Sequence, residues 1–279
     1  LRAPWVEPGG IRRRGRGGIP VFAGKVRYLS ETGSRQELEG LHSGTNCHSF
    51  SRDGKTLGMD LDGPENEKGT YAIATVSPRM TIRNEDVITW NSFSGKTPGS
   101  STIGFLSQMS PDGRYAVSTV NEEVYVSNFK DYRFLQVFYP TRGILAWYDR
   151  STQEIKPLPG ADDPRSVHTD AVWSPAGTYL VFARAEAKDA YTPGKPMAEY
   201  PNDPNETPIQ YDLYRIPFNK GRGGRAEPIR GASANGMSNS FPKISPDGRW
   251  IVYVQARNGQ LLRPDGQLYI VPASGGEAR

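Results

Sequence analysis

Cysteine is nearly absent: Cys47 is the only one among 279 residues, so the chain cannot form an internal disulfide. No run approaches the roughly 18–20 apolar residues that cross a bilayer as a helix. A leader with a charged start and an apolar core is also lacking, and residue 1 is Leu. The expectation is therefore a mature or trimmed product whose targeting segment has been removed. Apolar residues never recur with helical spacing over a long stretch, so helix is expected only in short turns. Catalytic signatures are equally sparse. There is no Gly-x-Ser-x-Gly elbow, and the glycine-rich Gly221-Arg-Gly-Gly precedes no predicted helix that would cradle a phosphate. Cys47 and His48 are adjacent, and neighbours on a strand face opposite ways, so they cannot act as a nucleophile–base pair. The expected reading is a protein that is not an enzyme, with no catalytic residues.

The composition is that of a loop-rich chain: 31 glycines, 23 prolines and a hydrophobic fraction of 36%, with a mean hydropathy of −0.61. The net charge of +4 falls entirely within residues 1–18, where Arg2, Arg12, Arg13, Arg14 and Arg16 face only Glu7. Residues 1–24 are predicted to be an extended basic arm. Its candidate partner-binding residues are Trp5, Arg12, Arg13, Arg14 and Arg16, suited to an anionic surface or an acidic subunit. No aromatic platform or basic groove follows the arm, so nucleic acid is not an expected partner.

Against these absences stands a repeat. Phe50-Ser-Arg-Asp-Gly-Lys-Thr-Leu, Met109-Ser-Pro-Asp-Gly-Arg-Tyr-Ala-Val, Trp173-Ser-Pro-Ala-Gly-Thr-Tyr-Leu-Val and Ile244-Ser-Pro-Asp-Gly-Arg-Trp-Ile-Val are four versions of one turn between two apolar strands. Their turn glycines, Gly54, Gly113, Gly177 and Gly248, lie roughly 60–70 residues apart, the period of a radial β-architecture. Proline presets φ ahead of the turn, and Asp-Gly supplies the backbone freedom the turn needs.

Each repeat continues into further strands. In the last, Trp250-Ile-Val-Tyr-Val is the second strand and Gln267-Leu-Tyr-Ile-Val-Pro the third, and Glu277-Ala-Arg opens a fourth. In the second, Val124-Tyr-Val, Phe134–Tyr139 and Ile144–Asp149 are predicted as separate strands. Residues 186–209, rich in Pro, Asn and Asp, are predicted as a long loop. Asn205-Glu-Thr within it matches a glycosylation acceptor by pattern alone. Lys25–Leu38 has the pattern of a blade's outer hairpin without an inner one. Residues 25–279 are thus predicted to be an all-β β-propeller of four-stranded antiparallel blades. The expected number of blades is five, with the last inner hairpin missing or lying beyond residue 279, since a ring closed from both chain ends leaves no open sheet edge.

The Ser-Pro-Asp-Gly-(Arg/Lys)-aromatic-aliphatic sentence resembles the repeat of TolB-like propellers. Asn46-Cys-His-Ser-Phe-Ser-Arg-Asp-Gly-Lys-Thr-Leu-Gly-Met-Asp, Gly143-Ile-Leu-Ala-Trp-Tyr-Asp, Leu158-Pro-Gly-Ala-Asp-Asp-Pro, Tyr211-Asp-Leu-Tyr-Arg-Ile-Pro-Phe and Asn235-Gly-Met-Ser-Asn-Ser-Phe-Pro-Lys narrow the likeness to a bacterial subgroup. Many members of that subgroup are exported and carry a Cys-x-x-Cys-His haem attachment motif ahead of the first repeat. Here Cys47 and His48 match its second cysteine and histidine, while Gly44 replaces the first cysteine. The resemblance implies either a relic with no cofactor, which is the expected reading, or a haem c held by one thioether from Cys47 with His48 as axial ligand.

Asp60-Leu-Asp-Gly resembles the opening of a calcium loop, making Asp60 and Asp62 candidate calcium ligands. The later ligands do not follow, and an acidic turn between strands is the simpler reading. The resemblance implies a non-catalytic, periplasmic or otherwise exported interaction subunit, peripheral to the membrane. Its expected partners are other protein subunits, among them a membrane-bound, cytochrome-containing electron-transfer complex. The alternatives are a c-type haem electron-transfer protein, and a carbohydrate-binding or hydrolase-associated propeller. The arm and the loops at 60–69, 91–102 and 186–209 are the expected docking surfaces.

Overall fold

The computed structural model describes residues 26–29, 35–38, 46–61, 67–78, 80, 82–130, 136–260 and 263–279. The predicted arm, 1–24, lies outside them. Each of the four sequence repeats opens a blade. Blade 1 has the strand order β3 (Asn46–Phe50), β4 (Thr56–Leu61), β5 (Thr70–Thr75), β6 (Val87–Thr89). Blade 2 is β7 (Phe105–Met109), β8 (Tyr115–Asn128), β9 (Gln136–Asp149), β10 (Glu154–Pro157). Blade 3 is β11 (Ser166–Trp173), β12 (Tyr179–Glu186), β13 (Asp212–Pro217), β14 (Glu227–Pro228). Blade 4 is β15 (Ser238–Ile244), β16 (Trp250–Ala256), β17 (Gln267–Pro272). Residues 277–279 run beside β17, with the Ile270 and Arg279 amides exchanging hydrogen bonds of 2.8 and 3.0 Å. The predicted N-terminal hairpin is present as β1 (Val26–Leu29) and β2 (Arg35–Leu38), which pair with each other as a separate two-stranded sheet. Helix among the described residues is limited to single 3-10 turns, as the lack of helical periodicity implies.

The repeated turn works through its serine. Ser51, Ser110, Ser174 and Ser245 each accept, at Oγ, the amide of the first residue of the following strand at 2.9–3.1 Å. In three turns the aspartate takes the serine hydroxyl and the amide after the glycine, as Asp112 does at 2.5 and 3.0 Å. Where blade 3 has Ala176, the Ser174 Oγ accepts the Thr178 amide instead, at 3.0 Å. The four glycines adopt φ of 67–73°, a left-handed conformation in which a side chain would be strained.

Each first strand also carries a bulge at the same repeat position. The register breaks between Asn46 and Ser49, Phe105 and Gln108, Thr169 and Val172, and Ser240 and Lys243. Leu106, Asp170 and Phe241 sit in these bulges with φ of 58°, 56° and 52°. Cys47 falls at the equivalent point of blade 1.

The core is a stack of sheets. Tyr71 and Ile73 of blade 1 pack with Met109 and Ala116 of blade 2. Tyr115, Val117 and Leu145 of blade 2 pack with Leu180 and Phe182 of blade 3. Val181, Ala183 and Leu213 of blade 3 pack with Ile251 and Tyr253 of blade 4. Alternate residues of a strand thus reach opposite neighbours, which explains why these strands read as continuous apolar runs.

Blade 2 departs from the sequence expectation. The segments predicted as four strands are the ends of two 14-residue strands, β8 and β9. A bulge between Val120 and Val124 lets the pair bend and continue past the blade. Glu122 holds the bend by accepting the Ile103 amide at 2.5 Å and the Thr102 hydroxyl.

Candidate interaction face

The connections between second and third strands of blades 2, 3 and 4 gather on one side of the molecule. They are the extended β8–β9 hairpin, residues 187–211 and residues 257–266. Residues 187–211 contain no helix or strand, yet they are closely fastened. The Lys188 amide donates to the Thr141 carbonyl at 3.0 Å. The Ala190 amide donates to Glu123 Oε1 at 2.8 Å, and the Ser127 hydroxyl to the Ala198 carbonyl at 2.8 Å. The Tyr191 ring lies 5.4 Å from that of Tyr125. Its hydroxyl accepts the Val126 amide and donates to the Val126 carbonyl, as a neighbouring strand would. Tyr125, Phe129 and Tyr139 are buried in this packing, in one core cluster with Ala190, Ala198 and Ile209.

A buried ion pair joins residues 187–211 to residues 257–266. Arg263 Nη1 donates to Glu206 Oε2 at 2.9 Å, with side chains 0% and 1% exposed. Asn258 Nδ2 donates to the same oxygen at 3.0 Å, and Arg263 Nη2 donates to Asn202 Oδ1. Asn202, at φ 67°, donates its backbone amide to Glu206 Oε1 at 2.7 Å and its side-chain amide to Asp265 Oδ1 at 2.7 Å. Tyr139 donates to the Thr207 carbonyl at 2.8 Å, and burial beside Glu206 pushes its phenol far above the ordinary range. Thr207, the last residue of the glycosylation-like motif, is buried and donates to the Ala190 carbonyl at 2.6 Å. The loop held this way presents Tyr191, Met197 and Tyr200 to solvent.

Beneath this platform, Gln260 reaches the bulge of blade 3. Its Nε2 donates to Asp170 Oδ2 at 2.8 Å, and the Phe241 amide donates to the same oxygen at 3.2 Å. Full burial pushes the Asp170 carboxyl up to about 7. His168, two residues away and also buried, is held down to about 4 by burial, with Arg184 adding to the effect. At physiological pH the imidazole is neutral.

The opposite face is formed by the four repeat turns. Arg52, Pro111, Pro175 and Pro246 take equivalent places there, and the Arg52 amide donates to the Pro111 carbonyl at 2.7 Å. Arg52 borders two shallow depressions of about 270 and 380 Å³.

The sequence-predicted site residues do not come together here. Trp5, Arg12, Arg13, Arg14, Arg16 and Asp62 lie outside the described residues. Cys47 lies on β3, and the described positions do not include its side chain. His48 is exposed on β3, its ring 6.1 Å from that of Phe50 and at 81° to it. Asp60 lies on β4, paired in register with Asn46 and Tyr71. Among the described residues no group of three His, Cys, Asp or Glu side chains is arranged for a metal ion. The loop expected as a docking surface at 186–209 also reaches the interior, with Ala190, Ala198, Asp203, Glu206, Thr207 and Ile209 buried. Its polar residues were visible in the sequence, but their distant partner Arg263 was not.

Radially stacked antiparallel blades opened by a repeated turn define a β-propeller. The fold is similar to that of TolB from Acinetobacter baumannii, with a TM-score of 0.50 at 14% identity over 91% of this chain. The chain spans about half, 48%, of that structure's length. It also aligns with a TolB-type protein of Agrobacterium tumefaciens (TM-score 0.38, 13% identity, 91% of this chain and 86% of that one). A third likeness is to the propeller domain of the Trilobed protease of Pyrococcus furiosus (TM-score 0.42, 14% identity, 91% and 62%). No protein-family model and no curated protein matches the sequence.

Proposed function

We propose that this chain is a non-catalytic binding module whose loop platform docks another protein subunit. The observation that carries the reading is the build of residues 187–211. A long segment without secondary structure is more often functional than incidental. This one is anchored by a fully buried ion pair, while Tyr191, Met197 and Tyr200 stand exposed. Tyrosine and methionine on a rigid support are typical of interface cores, because ordering them on binding costs little further entropy. The sequence resemblance supports an exported, periplasmic setting and a membrane-associated, cytochrome-containing electron-transfer complex as the partner. The basic arm at residues 1–18 is a second contact in this reading, made with anionic groups.

The test uses tagged full-length chain incubated with the source organism's solubilised membranes, followed by a visible absorption spectrum of what is retained. The wild type is expected to retain a Soret-absorbing complex, and Met197→Asp with Tyr200→Asp to lose it. Equal retention by wild type and variant would remove the platform from the interface. Retention of no cytochrome by either would remove the electron-transfer partner.

A further inference from the structure

Blade stacking obeys one positional rule. The residues four and six places after a turn glycine, with the third-strand residue opposite the latter, face the following blade. In blade 2 these include Val117 and Leu145, in blade 3 Val181 and Leu213, in blade 4 Val252 and Leu268. The first four are each 0% exposed, covered by the blade that follows. Val252 is 37% exposed and Leu268 75%. The same leucine position is thus core in two blades and surface in the next.

The rest of that face agrees. Strand pairing sets Trp250, Val254 and Ile270 on the same side as Val252 and Leu268. Lys243 stands beside Val252 at the inner edge, and the Arg279 guanidinium lies 5.5 Å above the Trp250 ring. The opposite side of the sheet, with Ile251, Tyr253 and Val271, is already buried against blade 3. A sheet that stays half solvated alternates apolar and polar residues, whereas β16 is apolar at all five positions from Trp250 to Val254. Such a strand is built to be covered on both sides.

We propose that the outward face of blade 4 seats a further β-hairpin of the same repeat, packed on it as blade 4 packs on blade 3. The face continues an interface made between blades 2 and 3 and again between blades 3 and 4, where Val117 with Leu145 and Val181 with Leu213 hold the positions of Val252 and Leu268. The occupant it fits presents apolar residues three and five places after its own turn glycine, as Leu180 with Phe182 and Ile251 with Tyr253 do.

A gain-of-stability experiment on the full chain tests this. A second copy of Ser238–Ala256, the hairpin that covers blade 3, is appended after Arg279 through a short Gly-Ser linker. The melting temperature is expected to rise by about 5 °C or more. Val252→Asp with Leu268→Asp in the parent chain should abolish that rise. Without the appended hairpin, Leu268→Asp should leave the melting temperature nearly unchanged while Leu213→Asp prevents folding. No rise on appending the hairpin, or a rise that survives the paired substitution, overturns the proposal. So does a concentration-dependent dimer of the unmodified chain dissolved by Leu268→Asp, which would assign the face to a second copy.

Discussion

Arg263 and Glu206 meet at 2.9 Å in the interior of a loop assembly, and neither side chain reaches solvent. A buried pair offers little net stability over apolar residues, but breaking it strands a charge. Glu206→Gln is therefore expected to cost about 3–5 kcal/mol and to expose residues 187–211 to proteolysis before global unfolding. Replacing both residues by methionine should restore much of the loss. Limited proteolysis alongside thermal melts of the wild type and the two variants measures both effects. Equal protease resistance in Glu206→Gln and wild type would show that the pair does not hold the loop.

His168 and Asp170 are predicted to oppose each other in pH dependence. The carboxyl of Asp170 is raised from 3.8 to about 7 in the folded chain, so the folded state holds a proton that the unfolded state releases. Stability from this group falls as pH rises from about 4 to 7. His168 is lowered from 6.5 to about 4, so the unfolded state takes up a proton that the folded state refuses. Stability from this group rises over nearly the same window, up to pH 6.5. The two slopes largely cancel in the wild type. Asp170→Asn should leave a stability that climbs from pH 4 to 6.5, and His168→Gln one that declines over it. Denaturant titrations at half-unit pH steps will show the two trends. Parallel profiles in both variants would contradict the assignment.

Acid unfolding below that window has a different origin. Hydrogen bonds from Arg114 hold Asp149 down to about 2, and Arg165 does the same for Asp163. Folded pKa values below the unfolded ones contribute stability that is present above pH 4 and is lost as pH falls toward 2. Asp149→Asn should shift the acid-unfolding midpoint upward more than Asp163→Asn, because Asp149 is the buried one, with its side chain 7% exposed against 35%. Circular dichroism between pH 2 and 5 gives the order.

Ala176 interrupts a pattern that the other three turns keep. Ala176→Asp restores the acceptor that Asp112 supplies in blade 2, and is expected to raise the melting temperature by about 1–3 °C. A fall would mean that the Thr178 amide bond to Ser174 Oγ, at 3.0 Å, serves this turn better.

The spectrum of the purified protein decides the cofactor. With one thioether sulfur in place of two, the expectation is no Soret band. A band that persists after denaturation and is lost in Cys47→Ser would replace that expectation with covalent haem.

Much of the architecture was legible because it is local. A Ser-Pro-Asp-Gly type of turn between apolar runs is specified by contacts within a few residues, and each of its four copies joins the first two strands of a described blade. The β8–β9 hairpin was misread as separate strands because the bulge at Asn121 and Glu122 looks like a break in sequence. Its continuation depends on Thr102 and Ile103, about twenty residues earlier. The candidate platform was legible only as polarity: Asn202, Glu206 and Thr207 read as loop residues, and nothing near them in sequence points to Arg263 or Tyr139.

The distinction is one of range. Turn chemistry and strand periodicity are set by neighbours along the chain, so the repeated turns and the two apolar faces of each strand follow from the sequence directly. Burial is set by whatever lies across the sheet. Leu145, Leu213 and Leu268 occupy one repeat position, yet two are core and one is surface. Only the stacking of whole sheets tells them apart, just as only the meeting of distant loops turns Glu206 from a solvated carboxylate into half of a buried pair.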